Sequence, residues 1–411
     1  MTTPILSKSR GSVGLLAALA GLALGLSPAA QAAGTLKVGL SGPFTGGSSS
    51  MGVSMRDGVK LAAAEINAAG GILGKQIVLV ERDDEAKNEL GVQIAQELID
   101  KEGVVATLGY INTGVALASQ RFYQENKIPV INNVATGTII SKQFLPPEHA
   151  ANFIFRISAP DAIQAEMIAA EAIDKRKFTK VAILADSTNY GQLGREDLER
   201  TLGKRNITPV AVEKFNIKDT DMTAQLLRAK ETGAQAILTY GIGPELAQIA
   251  NGMAKLGWKV PLIGSWTLSM SSFIDNAGPN GEGARMPQTF VQEGTTPKRK
   301  AFIDAYTKAY GVDRMPSPVS AAQGYDSVYL LAAAIKQAGD TNGDKIRQAL
   351  ESLKEPVEGV VTTYTQPFSA TDHESQALGM AVMGEVKGGR VIFAYEEDRK
   401  DAAKVRTKPK N

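Results

Sequence analysis

Short apolar runs alternate with amphipathic stretches along this chain at a spacing of about 25 to 30 residues, the pattern of βα units in a parallel sheet. Runs suited to buried strands stand at residues 36–40, 77–80, 104–108 and 129–131. Between them, Val59, Ala62 and Ile66, then Val92, Ala95 and Ile99, recur at the spacing of one buried helix face. The first half therefore reads as one doubly wound domain. A second set follows the polar, proline-bearing segment 141–152, with strands expected at 153–157, 181–185, 210–212, 236–240 and 262–263. Its helices carry Ile163, Met167 and Ala170, and Leu246, Ile249 and Met253, on their inner faces. One large barrel would need eight similar strands with a closing repeat, and these are not evident. The expected fold is α/β, with two doubly wound parallel-sheet lobes. Later, Gly324-Tyr325-Asp326 is expected to open an apolar helix over 328–335.

The chain has 411 residues, enough for two domains with sizeable cores. Lys8 and Arg10 precede an apolar run over 13–26 and an Ala30-Gln31-Ala32 cleavage site, so residues 1–33 read as a secretory signal peptide. A membrane anchor is the competing reading, but the run falls short of the roughly 20 residues a spanning helix needs. With the leader removed, lysine plus arginine balance aspartate plus glutamate at 43 each. That neutrality gives no support to nucleic-acid or acidic-membrane binding. The chain contains no cysteine, which removes disulfides, thiolate chemistry and a lipid tether at the cleavage site together. A soluble periplasmic protein, not a lipoprotein, is expected. The basic tail, 401–411, is read as a solvated, frayed terminus.

In open parallel sheets ligands sit outside the carboxyl ends of the strands. That rule selects loops 41–52, 110–114, 132–136, 186–191, 241–244 and 265–267, which are rich in glycine and hydroxylic residues. Tyrosine apart, Asp186 is their only ionisable residue. Such loops suit an anion of modest size held by backbone N–H groups and helix N-termini. The hydroxyls of Thr113 and Thr136 can hold a carboxylate without arginine or lysine; both threonines also read as helix N-caps, and the two roles are compatible. Enzyme motifs are missing. Gly70-Gly71-Ile72-Leu73-Gly74-Lys75 has the wrong glycine spacing for a phosphate loop, Gln76 replaces the required hydroxyl, and the turn precedes a strand. No dinucleotide fingerprint follows the first strand, and no Gly-x-Ser-x-Gly elbow occurs. His149 and His373, beside Glu148 and Asp372 in polar loops, read as surface residues without metal-ligand spacing. Asp83 and Asp84 read as a hydrated loop or helix cap rather than a cation site. No catalytic residue, metal or cofactor is expected.

From Glu65 to Asp84 the chain reads Glu-Ile-Asn-Ala-Ala-Gly-Gly-Ile-Leu-Gly-Lys-Gln-Ile-Val-Leu-Val-Glu-Arg-Asp-Asp, a helix stopping at Gly70, a glycine turn and a buried strand ended by two carboxylates. This string closely resembles a signature of the leucine/isoleucine/valine-binding proteins, type I periplasmic receptors that feed ABC importers. Phe368-Ser369-Ala370-Thr371-Asp372-His373 resembles a late turn of the same family. The resemblance implies three crossings between the lobes, near Arg156, near Pro287 and within 362–378. It divides the chain into one lobe of 34–155 and 287–367 and another of 156–286 and 368–400.

The resemblance also implies a site. Thr113 falls where the family uses a serine hydroxyl for the ligand carboxylate, and Val134, Ala135 and Thr136 fall on the loop completing that grip. Asp186-Ser187-Thr188-Asn189-Tyr190-Gly191 matches the loop whose tyrosine closes over the ligand, which assigns Tyr190, otherwise an ordinary rim residue. Departures matter equally. Trp266 stands where an acidic residue pairs with the ligand ammonium, Ile242 where a tyrosine stands, and Met51 where the first loop has an aromatic residue. Ala86 and Asn112 occupy the family's disulfide positions. An indole in place of a carboxylate removes the strongest partner of a buried ammonium, and an unpaired buried charge costs several kcal/mol. Trp266 can instead accept a cation on its face, stack on an aromatic ligand, or serve as a core tryptophan. The implied function is a monomeric, non-enzymatic receptor that closes on a small carboxylate-bearing solute, an amino acid of branched-chain type or a related aliphatic or aromatic acid, and presents it to an ABC permease. A periplasmic sensor subunit of the same fold is the alternative, and a secreted enzyme using Asp186 or His373 is a third reading.

Overall fold

Strands apolar on both faces need cover on both faces, and two helix-clad sheets supply it in the structure, a computed structural model describing Met1 and residues 34–402 and 407–409. The expected leader lies, Met1 apart, outside the described residues. The first sheet holds β1 (Thr35–Gly42), β2 (Gln76–Asp83), β3 (Ala106–Gly109), β4 (Val130–Asn132) and β5 (Ile154–Arg156), all parallel in the order β2-β1-β3-β4-β5. Helices α1 (Ser49–Ala68), α2 (Asn88–Glu97) and α3 (Thr113–Glu125) connect its first four strands. The strand expected at 153–157 therefore closes the first sheet rather than opening the second set, since Ile154 pairs with Val130 and Arg156 with Asn132. An apolar run announces a buried strand but not the sheet that receives it.

Among the described residues, six helices and five strands then build the second lobe: α4 (Asp161–Ala169), β6 (Val181–Asp186), α5 (Asn189–Gly203), β7 (Ala211–Phe215), α6 (Thr223–Glu231), β8 (Ala236–Tyr240), α7 (Gly243–Lys255), β9 (Leu262–Gly264), α8 (Ser271–Ala277), β10 (Arg285–Gln288) and, last in the chain, α12 (Glu396–Asp401). Before α12 the chain returns to the first lobe through α9 (Pro297–Tyr310), α10 (Pro318–Ala338), α11 (Gly343–Glu351) and the hairpin β11 (Val357–Glu358) with β12 (Thr363–Tyr364). It crosses again to lay β13 (Val382–Lys387) and β14 (Arg390–Phe393) antiparallel on the second sheet, whose order is β14-β13-β10-β9-β8-β6-β7. Central β6 is buried along its whole length, while on edge strand β7 Val212 and Lys214 are exposed.

Helix α1 ends where Gly70 and Gly71 take φ of +99° and +78°, and the Gly71 N–H reaches back to Ile66 O at 2.9 Å. Along its length α1 lies against α10 at backbone contact. A Cβ on Gly58 would stand 2.1 Å from Ala321 O, and one on Gly324 would stand 2.3 Å from Met55 O. Gly324 is thus an interior contact residue of α10, and the helix starts at Pro318 rather than at Gly324. Glycine there reports a close helix crossing, not a helix start.

The hinge is tied at Arg156. Its N–H donates to His373 O (2.9 Å), and Ser375 N–H donates to Arg156 O (3.0 Å), so the first and third crossings run side by side. The buried guanidinium pairs with Glu374, with Nε donating at 2.8 Å, and Nη1 donates to Gly137 O at 2.7 Å. His373 is not a surface residue: it is buried, stacks on Phe155 with centroids 3.9 Å apart, and places Nδ1 3.0 Å from Ile154 O and Nε2 3.2 Å from Glu351 Oε1. The tail is not wholly frayed either, because Lys408 pairs with Asp372 and donates to Pro367 O (3.3 Å).

Candidate functional site

Each sheet ends its strands toward the other lobe, and four helix starts meet there. Ser48, Asn112 and Ile242 are the N-caps of α1, α3 and α7, and Tyr190 is the second residue of α5. None of these three caps bonds its own helix start through its side chain, and no acidic residue stands in the first turn of α1, α3 or α5. All four residues line one void of about 290 Å³ between the lobes, together with Met51, Ile111, Thr136, Trp266, Thr267 and Met270. The room within it that a water molecule can enter is about 10 Å³, enough for one water, so a solute fits only when the lobes stand further apart. Among the described residues no lysine, arginine, aspartate or glutamate lines it. Its potential comes from helix ends, positive toward the void, over walls of uncharged residues, polar at Ser48, Asn112, Thr136, Tyr190 and Thr267 and apolar at the other five.

Of the eight residues expected at the site, Met51, Thr136, Tyr190, Ile242 and Trp266 line the void; Thr113, Val134 and Ala135 are fully or almost fully buried and do not line it. Thr113 Oγ1 accepts from Gly137 N–H at 3.2 Å, which ties the start of α3 to the loop after β4. The N–H groups of Val134 and Ala135 donate to Tyr110 O at 3.2 and 2.9 Å, and Ala135 O accepts from Ser158 Oγ at 3.0 Å. These three therefore shape the loop that carries Thr136. On the other side Tyr190 donates its hydroxyl to Ser265 Oγ at 2.6 Å, and Trp266 N–H donates to Gln164 Oε1 at 3.0 Å. Trp266, only 2% exposed, is a wall of the void as well as a buried residue. The lobes touch across the cleft: Ser50 Oγ and Ser271 Oγ are 3.0 Å apart, and Thr138 Oγ1 donates to Asp197 Oδ2 at 2.6 Å.

Asp186 faces its own loop. Its Oδ1 accepts from Thr188 N–H (2.8 Å) and Thr188 Oγ1 (2.5 Å), and burial pushes its carboxyl up to about 6. Asp83 likewise pins the first loop, accepting from Phe44 N–H at 2.9 Å and Thr45 Oγ1 at 2.7 Å. Two residues at or near the void were not named as site residues in the sequence reading, although Asn112 lies in the selected loop 110–114. Asn112 donates to Ser48 Oγ at 3.1 Å, and its Oδ1 is buried without a partner among the described residues. Asp161, the first residue of α4, is fully buried and donates its N–H to Thr136 O at 2.8 Å. Neither of its carboxylate oxygens completes a hydrogen bond of ordinary geometry among the described residues. Burial pushes this carboxyl up to about 7, against the opposing pull of the Thr136 hydroxyl and the Arg156 guanidinium. Pro-Asp at a helix start reads in sequence as a cap, which is why it gave no signal.

A larger cavity, of about 910 Å³, lies away from the helix ends beside the hinge, lined by Phe290, Arg299, Val360 and Val382 among others. Its guanidinium is spent on Val360 O and Val361 O, both at 2.9 Å. The void at the helix ends is the one that five of the eight expected site residues line.

Two α/β lobes, joined by three crossings and closing their helix N-termini over one small void, define a bilobed solute receptor. The sequence pattern of the family described as periplasmic binding protein matches residues 35–390. The chain belongs to that family, whose members bind solutes and are not enzymes. It is 27% identical over 386 residues to the leucine-, isoleucine-, valine-, threonine- and alanine-binding protein of Pseudomonas aeruginosa, covering 93% of this chain and 95% of that one. The branched-chain amino acid transporter substrate-binding protein of Streptococcus pneumoniae, solved in complex with isoleucine, is similar at 27% identity and a TM-score of 0.76 over 87% of this chain and 97% of its own. A solute-binding protein of an ABC transporter from R. palustris, solved with benzoate, shares the fold at 22% identity and a TM-score of 0.75 over 88% of this chain and 96% of its own. No helix among the described residues is long and apolar enough to cross a membrane.

Proposed function

We propose that this chain is the periplasmic substrate-binding component of an ABC importer, a freely diffusing monomer that encloses a small carboxylate-bearing solute between its lobes and presents it to a permease. The observation that carries the reading is the convergence of four helix starts on a void without a basic side chain. Each start presents up to roughly half a positive charge, offset in part at α7 by Glu245 in its first turn, so together they suit an anion such as a carboxylate, and the apolar residues of the walls suit an aliphatic or aromatic remainder. Support also comes from relatives that bind leucine, isoleucine and valine by name. Thr136, on the loop shaped by Thr113, Val134 and Ala135, belongs to the carboxylate grip; Met51, Tyr190, Ile242 and Trp266 shape the space left for the rest of the solute. A ligand that touches both lobes favours closure by the difference in its affinity for the closed and open forms. The test is thermal unfolding of the chain, stripped by denaturation and refolding, against branched-chain amino acids, their 2-oxo acids and benzoate. A true ligand at about 100 times its dissociation constant adds about 2.7 kcal/mol. Absence of any shift across the panel would refute a carboxylate cleft.

A further inference from the structure

The wall that the second lobe gives the void carries a chain of three hydroxyls. Tyr190 Oη donates to Ser265 Oγ at 2.6 Å, and Ser265 Oγ lies 2.8 Å from Thr267 Oγ1. Tyr190 and Thr267 line the void, while Ser265 is fully buried. A hydroxyl owns one hydrogen and two acceptor positions. Ser265 Oγ accepts from Tyr190 and has no other side-chain partner but Thr267 among the described residues, so its own hydrogen goes to Thr267 Oγ1. The chain then runs from Tyr190 through Ser265 to Thr267 and leaves the Thr267 hydrogen over, at a residue of the void's wall. All three residues belong to one lobe, so this order holds whether the lobes stand together or apart.

Charge decides what the solute offers to that hydrogen. No acidic side chain lines the void among the described residues. The buried carboxyls nearby stand behind its walls and are met there: Asp161 by the Thr136 hydroxyl, Asp186 by Thr188, and Glu245 by the Lys218 N–H at 2.6 Å. The helix starts facing the void suit a carboxylate and oppose an ammonium beside it, and a desolvated ammonium without an acidic partner is costly. Asn112 does not discriminate, because the Ser48 hydroxyl that it bonds can donate as well as accept, so its amide can turn either end to a solute. We infer that Thr267 is a specificity-determining residue that donates to an uncharged oxygen beside the solute carboxylate, so that the cleft takes 2-oxo or 2-hydroxy acids in preference to 2-amino acids. This rests on the reading that the void takes a small carboxylate. The void is small, so the atoms that reach Thr267 from a carboxylate gripped at Thr136 are those next to that carboxylate. Met51, Ile111, Ile242, Trp266 and Met270 then enclose the apolar remainder.

The experiment is calorimetric titration of the full chain, freed of carried-over ligand, at neutral pH, where an amino acid keeps its ammonium. The probes share the carbon skeletons of leucine and phenylalanine, each carrying an ammonium, an oxo group, a hydroxyl or only hydrogen next to the carboxylate. On at least one skeleton the oxo or hydroxy acid should bind about 10-fold or more tighter than the amino acid, whose ammonium goes unpaired. The same acid should bind about 3- to 10-fold tighter than the plain acid, the worth of one neutral hydrogen bond. Thr267→Val, which keeps the outline of the side chain, should erase the margin over the plain acid while plain-acid affinity stays within about threefold, and Thr267→Ser, which restores a hydroxyl, should keep the margin. An amino acid or plain acid that binds as tightly as the oxo and hydroxy acids, or a Thr267→Val variant that keeps the margin, overturns the inference and leaves the carboxylate reading standing. Should Thr267→Val fail to fold, the wild-type panel and Thr267→Ser decide by the same margins. Failure of the whole panel and of benzoate to bind overturns both.

Discussion

Replacing Arg156 by methionine tests whether the hinge is held by one buried ion pair. The guanidinium is fully buried and Glu374 nearly so, with side-chain exposures of 0% and 13%. The substitution leaves Glu374 with only the Ser141 hydroxyl among its side-chain partners and strips Gly137 O of its 2.7 Å donor. Breaking a buried pair from one side costs about 3 to 5 kcal/mol, because the remaining charge stays desolvated. An orphaned carbonyl accounts for about 1 to 3 kcal/mol when it stays dry. Arg156→Met should therefore lower the unfolding free energy by about 4 to 8 kcal/mol, and Arg156→Met with Glu374→Leu should recover most of that, since the stranded charge is gone. Urea unfolding of the ligand-free chain, followed by circular dichroism, measures both. A single variant within about 1 kcal/mol of wild type, or a double variant no more stable than the single, would refute the reasoning. Because Gly137 N–H also donates to Thr113 Oγ1, the single variant should in addition weaken ligand binding at the loop carrying Thr136.

Thr136→Ala should weaken every ligand by about 10- to 100-fold, the loss of one hydrogen bond to a charged group, whereas Trp266→Ala should reorder the ranking among ligands; equal losses for all ligands in both variants would reject that division. Gly58→Ala forces a methyl group against Ala321 O and should cost about 1 to 3 kcal/mol in urea unfolding, with an unchanged midpoint counting against the close α1–α10 contact. Asp84 is pushed up to about 7 by burial, above its ordinary value, so the native state holds the proton longer and stability falls as pH rises from about 4 to 7. Asp84→Asn removes that contribution, up to about 1.4 kcal/mol per pH unit, and should flatten the stability–pH curve; Asp161, Asp186 and Asp326, shifted the same way, leave part of the slope.

The lobes were legible because buried parallel strands must be written in apolar runs. The strands from β1 to β9 each fall within or beside a run read from the sequence, such as β6 (Val181–Asp186) and β8 (Ala236–Tyr240), whereas β10 and β13, interior to the second sheet, do not. Sheet membership was not legible for β5, since pairing with β4 depends on where the loop at 141–152 returns the chain. The void's walls at Met51, Tyr190, Ile242 and Trp266 came from the rule that ligands sit at the carboxyl ends of strands together with a family resemblance. The burial of Asp161 was not legible, because an aspartate after proline at a helix start looks the same in sequence whether its carboxyl is solvated or enclosed. His373 and Lys408 read as solvated by their neighbours in sequence, yet β5, α11 and the turn before Ser375 bury or bind them from far along the chain. Long-range partners of polar residues leave no local periodicity.

The four helix starts around the void are shared equally between the halves of the molecule: α1 and α3 stand on one, α5 and α7 on the other. Neither half alone presents the full positive field, so under the proposed function a carboxylate there would be held by a divided grip. A membrane partner that wedges the halves apart need not compete with the solute for any group. Separation alone would take away half of the attraction, and cargo would leave down a gradient made by geometry.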